Sequence, residues 1–245
     1  RIAVWIVPNI EFFPLSLQVP SLFGGAGKIP DVPNWGIRDY GNRIGVFRLI
    51  DAMDEFDLPG TVALNSDICL HHIAIVDECK RRGWEIIGHN ENNIIRLNSV
   101  ELSEEPLLIG RTLDTIAEHS GTRPRGWLGA GLQESWHTLG HLCDHDVGYV
   151  ADWCNDDQPF RMTLADSREI ACVPYSFETN DKIAYDILRY TPADFSQMVI
   201  QQFDVLLRES TQQARVLTLA LHPYLTGVPH RIDAVRRIFD HIRSH

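Results

Sequence analysis

Apolar runs rich in β-branched residues alternate along this chain with amphipathic stretches, and this alternation limits its possible folds more than any other feature. The pattern predicts a strand at residues 2–8, then a long loop through residue 40 that includes the Pro-rich stretch 30–33. A helix over 46–56, a strand at 61–64, a helix over 67–82, a strand at 84–88 and a helix ending near 119 follow. The second half continues with a strand near 124–128, a helix over 134–143, a strand near 147–151, extended pieces around 170–175 and a helix over 195–208. It ends on the run Val216-Leu217-Thr218-Leu219-Ala220-Leu221 and a last helix from Ile232. Such continuous apolar runs read as strands buried on both faces, and repeated strand-helix units imply a right-handed parallel sheet. The expected architecture is a single α/β domain over residues 1–245, a closed or nearly closed (β/α) barrel, with an open doubly wound sheet as the alternative. Neither GxGxxG after the first strand nor GxxxxGK[ST] is present, which counts against a nucleotide-binding sheet.

Bulk properties narrow the function classes. A length of 245 residues suits one barrel, and 44% hydrophobic with 22% charged residues matches an ordinary globular protein. With 22 Lys and Arg against 33 Asp and Glu, the net charge of -11 repels phosphate backbones and anionic bilayers, so neither nucleic acid nor membrane is an expected partner. The five cysteines, Cys69, Cys79, Cys143, Cys154 and Cys172, are scattered and never form a CxxC pair. They suggest neither a disulfide framework nor a thiolate zinc site, and a cytoplasmic location is expected. The first apolar run is too short for a membrane span, and no basic or small-residue signal flanks it. The chain begins without Met, so the natural protein is expected to have been trimmed or to continue at its ends.

Uncommon polar and aromatic residues recur just past the C-terminal ends of the predicted strands, the rim where β/α barrels gather catalytic groups. Glu11 follows the first strand, His89 the third, Trp127 lies at the fourth, Asp152 and Trp153 follow Ala151, and His222 follows Leu221. Each has a bland alternative: a solvated carboxylate, a histidine bonded to loop backbone, a packing aromatic. The helical histidines His71, His72, His119, His137, His141 and His145 are read as surface or packing residues, and Asp156-Asp157 as a turn cap rather than a cation site.

At these rim residues the chain resembles the NodB-homology polysaccharide-deacetylase superfamily. Arg82-Gly83-Trp84-Glu85-Ile86-Ile87-Gly88-His89 is similar to the family's second motif, and the stretch from Arg123-Pro124-Arg125-Gly126-Trp127 to Gln133-Glu134-Ser135 to its third. Asp152-Trp153-Cys154-Asn155-Asp156-Asp157-Gln158-Pro159 resembles the fourth and Leu221-His222-Pro223-Tyr224 the fifth. Tyr40-Gly41-Asn42-Arg43-Ile44-Gly45 resembles a signature of the allantoinase-like, cyclic-imide-opening branch. The departures are equally specific. Pro8-Asn9-Ile10-Glu11-Phe12 offers one carboxylate where sugar deacetylases carry paired aspartates. His89-Asn90-Glu91-Asn92-Asn93 places Asn93 at the second histidine of His-x-x-x-His, and Leu128 stands where the third motif usually has arginine.

The resemblance implies a distorted barrel of the polysaccharide-deacetylase type and a hydrolase of non-peptide carbon-nitrogen bonds that opens a small cyclic amide: a hydantoin, allantoin or a cyclic imide. Metal-dependent deacetylation of N-acetylated sugars is the first alternative and a non-catalytic ligand-binding barrel the second. Attack of water on a ring carbonyl needs a base, donors for the oxyanion and an acid for the departing nitrogen. Glu11, His89 and His222 are the expected catalytic residues, with Glu11 as base and His222 as acid; Arg43, Asn93, Trp127, Asp152 and Trp153 are expected to bind substrate. The expected cofactor is none, or a weakly held divalent metal, zinc first, on Glu11, His89 and Asn93. A small molecule and copies of the same chain are the expected partners.

Overall fold

In the computed structural model, which describes residues 1–20 and 28–245, the longest ladder joins the first strand to the last. Strand β1 (Ile2–Ile10) pairs in parallel with the run Arg215–Leu221 over seven positions, from Ile2↔Arg215 to Pro8↔Leu221. The inner half of β1 is fully buried, as its unbroken Ile-Val-Pro-Asn-Ile requires. On its other side β1 meets β2 (Thr61–Leu64), which pairs with β3 (Glu85–Gly88); β4 (Gly126–Trp127) and β5 (Tyr149–Val150) continue the parallel ladder. Among the described residues the sheet has eight strands, with β6 (Phe160–Thr163) at one edge, then β7 (Glu169–Cys172), and the Arg215–Leu221 strand, β8, at the other. The β6–β7 pair is antiparallel, which corrects the expectation of a parallel sheet throughout. Strand β6 was illegible because Phe-Arg-Met-Thr alternates exposed and half-buried residues, as an edge strand does, and contains no apolar run.

The helices sit largely where periodicity placed them. Helix α1 (Val32–Tyr40) is the main exception, because it occupies the end of the segment read as a loop. Asp31 caps it by accepting from Asn34 N at 3.3 Å, and Pro33 stands in its first turn, where a fixed φ and a missing N–H cost nothing. The rest of that expected loop falls partly on residues 21–27, outside the described residues. A π-helical stretch Gly41–Gly45 runs directly into α2 (Val46–Glu55). The expected helix over 67–82 is two, α3 (Asp67–His71) and α4 (Ile73–Arg82), broken at His72 with φ -139° and ψ 47°. Helix α5 (Glu105–Ser120) stops at Gly121, whose φ of +83° suits glycine. Helix α6 (Thr138–Asp144) starts later than expected because Ser135 N donates to Thr138 Oγ1 at 2.8 Å in a preceding turn. Thr191 and Asp194 form a capping box for α7 (Pro192–Glu209), a short α8 (Pro223–Thr226) follows β8, and α9 (Ile232–Arg243) closes the chain. None of these helices is long and apolar enough to cross a membrane.

The sheet curls into a distorted barrel that its ladder does not close. The segment after β7 spans the gap to β8: Asn180 bridges Ala220 in parallel, and Thr218 Oγ1 donates to the Pro174 carbonyl at 2.6 Å. Small and medium side chains, Val7, Ala63, Ile87, Leu128, Ala151, Tyr175 and Ala220, fill the barrel interior as one buried cluster. A larger cluster, with Ile10, Leu64, Phe195 and Phe239, packs the surrounding helices on the sheet.

Candidate active site

Register builds the site. Ile10, Leu64, Gly88 and Trp127 are successive partners across four parallel strands, so the next residues, Glu11, Asn65, His89 and Leu128, leave the sheet at one level and one end. Leu221 pairs with Pro8, so His222 leaves the sheet level with Asn9. Asn65 ties the ends of β1 and β3 together: its Oδ1 accepts from Phe12 N at 2.8 Å, and its Nδ2 donates to the His89 carbonyl. Asn90, with φ of +59°, turns the chain sharply away behind His89, a conformation that Asn tolerates better than most residues.

Glu11 lies between the two histidines. Its Oε1 is 3.7 Å from His89 Nε2 and 3.5 Å from His222 Nε2, and Glu11, His89 and His222 are only 6%, 2% and 3% exposed. His89 Nδ1 lies 2.6 Å from the Leu128 carbonyl; a carbonyl only accepts, so Nδ1 carries the proton and Nε2 is turned to Glu11. His222 is gripped twice by Asp181, whose Oδ2 accepts from His222 N at 2.8 Å and whose Oδ1 lies 2.6 Å from Nδ1. Burial is the strongest influence on the His222 imidazole and pushes its pKa down, but Asp181 and Glu11 together outweigh it and raise the pKa to about 9. Burial likewise pushes the Glu11 carboxyl up, yet His222 and His89 carry it well below the usual carboxylate range. At neutral pH the cluster therefore holds an imidazolium at His222 beside a carboxylate at Glu11. Glu11 Oε2 and His89 Nε2 are buried and make no hydrogen bond among the described residues, which leaves them hydrogen-bonding capacity for a ligand.

No family model matches the sequence. A curated Schizosaccharomyces pombe protein named "Putative polysaccharide deacetylase" is 26% identical over 251 residues, covering 89% of this chain and 75% of that protein. The fold superposes on a probable polysaccharide deacetylase from Pseudomonas aeruginosa PAO1 with a TM-score of 0.89 at 21% identity, and on the allantoinase PuuE with 0.88 at 22%. Both superpositions cover 100% of this chain and 85% of the other. The chain has the polysaccharide-deacetylase fold. The resemblance read from the sequence is thereby met in three dimensions, and the strand-end residues of this deacetylase-type barrel can be placed one by one.

Of the residues expected to bind substrate, Asn93 joins the cluster: it is buried, and its backbone N–H donates to Phe12 O at 2.9 Å, next to Glu11. Arg43 does not. Its side chain is 72% exposed and faces Asp39 at 3.8 Å, while the preceding residue, Asn42, points inward and donates to the Glu11 carbonyl at 2.8 Å. The glycines of that signature serve close packing, since a Cβ on Gly41 would come within 2.7 Å of Tyr224 N, directly behind His222. Trp127 is fully buried in the core, covering Gly88, where a Cβ would lie 2.6 Å from its ring; this corrects its expected role at the substrate. Asp152 and Trp153 line a separate cavity of about 810 Å³ with Glu134, Leu132 and Trp136. Asp152 Oδ1 accepts from Gly129 N at 2.7 Å, one residue beyond the carbonyl that holds His89.

Three further residues shape the site, and a fourth, Glu134, lines the separate cavity. Asn65 obeyed the strand-end rule and could have been found by it. Asp181 and Arg96 lie in connecting segments with no such signal, and Glu134 was visible only as part of a motif. The metal expected on Glu11, His89 and Asn93 does not find its usual donors. Catalytic zinc takes three ligands drawn from histidine, carboxylate and thiolate, and here a neutral amide is third, with an arginine nitrogen 3.5 Å from its Oδ1. Among the described residues no group of three or more His, Cys, Asp and Glu is arranged to hold a metal ion.

Proposed function

We propose that the protein hydrolyses a carbon-nitrogen bond of a small cyclic amide, of the hydantoin, allantoin or cyclic-imide type. The observation that carries this reading is the buried pair of Glu11 and His222, base and acid, already in the protonation states each task requires. Water enters beside the unpartnered Glu11 Oε2 and attacks the ring carbonyl carbon while Glu11 takes its proton. The carbonyl π electrons move to oxygen and form an oxyanion. They return as the ring C–N bond breaks, and the departing nitrogen takes its proton from His222 Nε2. Asp181 holds Nδ1–H throughout and steadies the imidazolium. Ring and water yield an open-chain product that carries a carboxyl group, an amide from an imide and a urea from a hydantoin. The leaving nitrogen of an imide or hydantoin delocalises charge onto its neighbouring carbonyls, so this chemistry demands less electrophilic help than a simple amide.

The closed setting of the three residues favours a compact substrate over a polymer. A second reading, deacetylation of an N-acetylated sugar, draws on the name of the Schizosaccharomyces pombe relative and would use the same acid and base. A hydrolysis screen over hydantoin, allantoin, succinimide, glutarimide and N-acetylglucosamine oligomers separates the two. Ring opening is expected, abolished by at least about 10²-fold in a folded Glu11→Gln variant. Turnover of the acetylated sugar with every ring inert would overturn the first reading.

A further inference from the structure

Hydrolysis of any amide builds negative charge on the attacked carbonyl oxygen and leaves a carboxylate on that carbon. The rim must hold a group that meets this charge, and at the end of β4 it offers Leu128, an apolar residue whose side chain lies in the barrel interior. The loop after β3 supplies a different cation. Asn93 N donates to Phe12 O at 2.9 Å and so fixes that loop beside Glu11, and Arg96 Nη1 donates back to Asn93 O at 2.8 Å. The guanidinium lies against Gly131, where a Cβ would stand 2.9 Å from Nε and 3.3 Å from Cζ. Gly131 also has φ of +69°, so both its backbone and its missing side chain make room for Arg96.

Arg96 is half-buried and, among the described residues, has no carboxylate within ion-pairing distance and no acceptor on Nε or Nη2. Those two nitrogens form one straight edge of the guanidinium, the edge that binds a carboxylate through two parallel hydrogen bonds. Burial pushes the guanidinium pKa down and the negative charge of Glu11 opposes this, which places the two groups in each other's field. We propose that Arg96 is the anion-binding residue of the site, taking through Nε and Nη2 first the developing oxyanion and then the product carboxylate. The inference rests on the hydrolytic reading but not on which amide is cleaved.

The test compares wild type, Arg96→Met, Gly131→Ala and the double variant, each checked for folding by circular dichroism. Activity is followed on succinimide and on an N-acetylglucosamine oligomer, and calorimetry measures binding of two carboxylate probes, succinamate and acetate. In Arg96→Met, kcat should fall by about 10²- to 10³-fold with little change in KM, as when an oxyanion donor is lost. Added guanidinium ion should restore part of it, and the affinity of wild type for at least one probe should fall about tenfold or more. Gly131→Ala should impair the parent and add nothing to Arg96→Met, because both act through one guanidinium. Unchanged probe affinity in Arg96→Met, or activity lost without rescue by guanidinium, would make Arg96 structural and overturn the proposal. Should wild type cleave none of the rings and acetylated sugars of the hydrolysis screen, the hydrolytic reading fails separately, and probe binding still decides: a carboxylate held by wild type and lost in Arg96→Met upholds the anion site, and none held by wild type sinks it.

Discussion

Glu11 and Asp152 are carboxyl groups on the same barrel rim, each withdrawn from water, and their surroundings drive them in opposite directions. Burial pushes both toward the protonated form. Beside Glu11 stand two imidazoles, and the carboxyl is carried far below its ordinary range; beside Asp152 stands Glu134, and the carboxyl is held well above it. Glu134 is raised as well, first by burial, while hydrogen bonds from Asp152 and from Trp153 Nε1 at 3.2 Å act against the rise. The sign of the neighbouring charge, rather than depth, decides the role. In the Glu11 region a carboxylate and an imidazolium face each other at 3.5 Å, whereas at Asp152 burial and the like charge of Glu134 favour the protonated form beside an aromatic-walled cavity.

Removing the imidazolium should break this contrast most severely. His222→Ala is expected to lower kcat by about 10²- to 10⁴-fold, with a smaller effect on KM, because the leaving nitrogen loses its proton donor. Steady-state kinetics on the substrate found by the screen measures it, and near-normal turnover at all pH values would leave His222 a structural residue.

Asp181→Asn should sharpen the contrast instead. In wild type the activity that depends on protonated His222 should persist to an alkaline limb near pH 9. The amide removes the charge that holds the proton, so the limb should move to lower pH while the acid side is unchanged. The linked stability has the same sign: a histidine whose folded pKa is raised adds stability that is complete below its unfolded pKa of about 6.5 and is lost as pH rises through the folded value. The thermal stability of wild type should therefore fall across about pH 6.5 to 9, and less so in the variant.

The smallest effect is expected from Glu134→Gln. A raised Asp152 pKa favours the folded state at low pH, and that advantage fades as pH climbs from the unfolded value of about 3.9 through the folded one. Without the like charge of Glu134 the Asp152 pKa should fall and this fade should shrink, as pH-dependent thermal unfolding would show. The acid-base pair at Glu11 lies outside this change, so kcat should stay close to wild type.

The alternation of strands and helices, and through it the three residues at the centre of the site, is legible in local sequence. Buried parallel strands are written as local apolar runs, and a parallel sheet sends all their C-terminal ends to one rim, so Glu11, His89 and His222 could be located without knowing what they touch. Their partners come from long-range packing. Asp181 meets His222 across 41 residues and Asn65 clips His89 across 24, contacts set by register and by loop paths that no local pattern encodes. It also decided which member of a recognised motif faces inward: Asn42 rather than Arg43, because a π-helical stretch packed by glycines against the segment after β8 sets the rotation of that helix. Trp127 went to the core, packed on Gly88, and Trp153 to a cavity. Local sequence fixes where a side chain leaves a strand, and the packing of distant segments fixes what it faces.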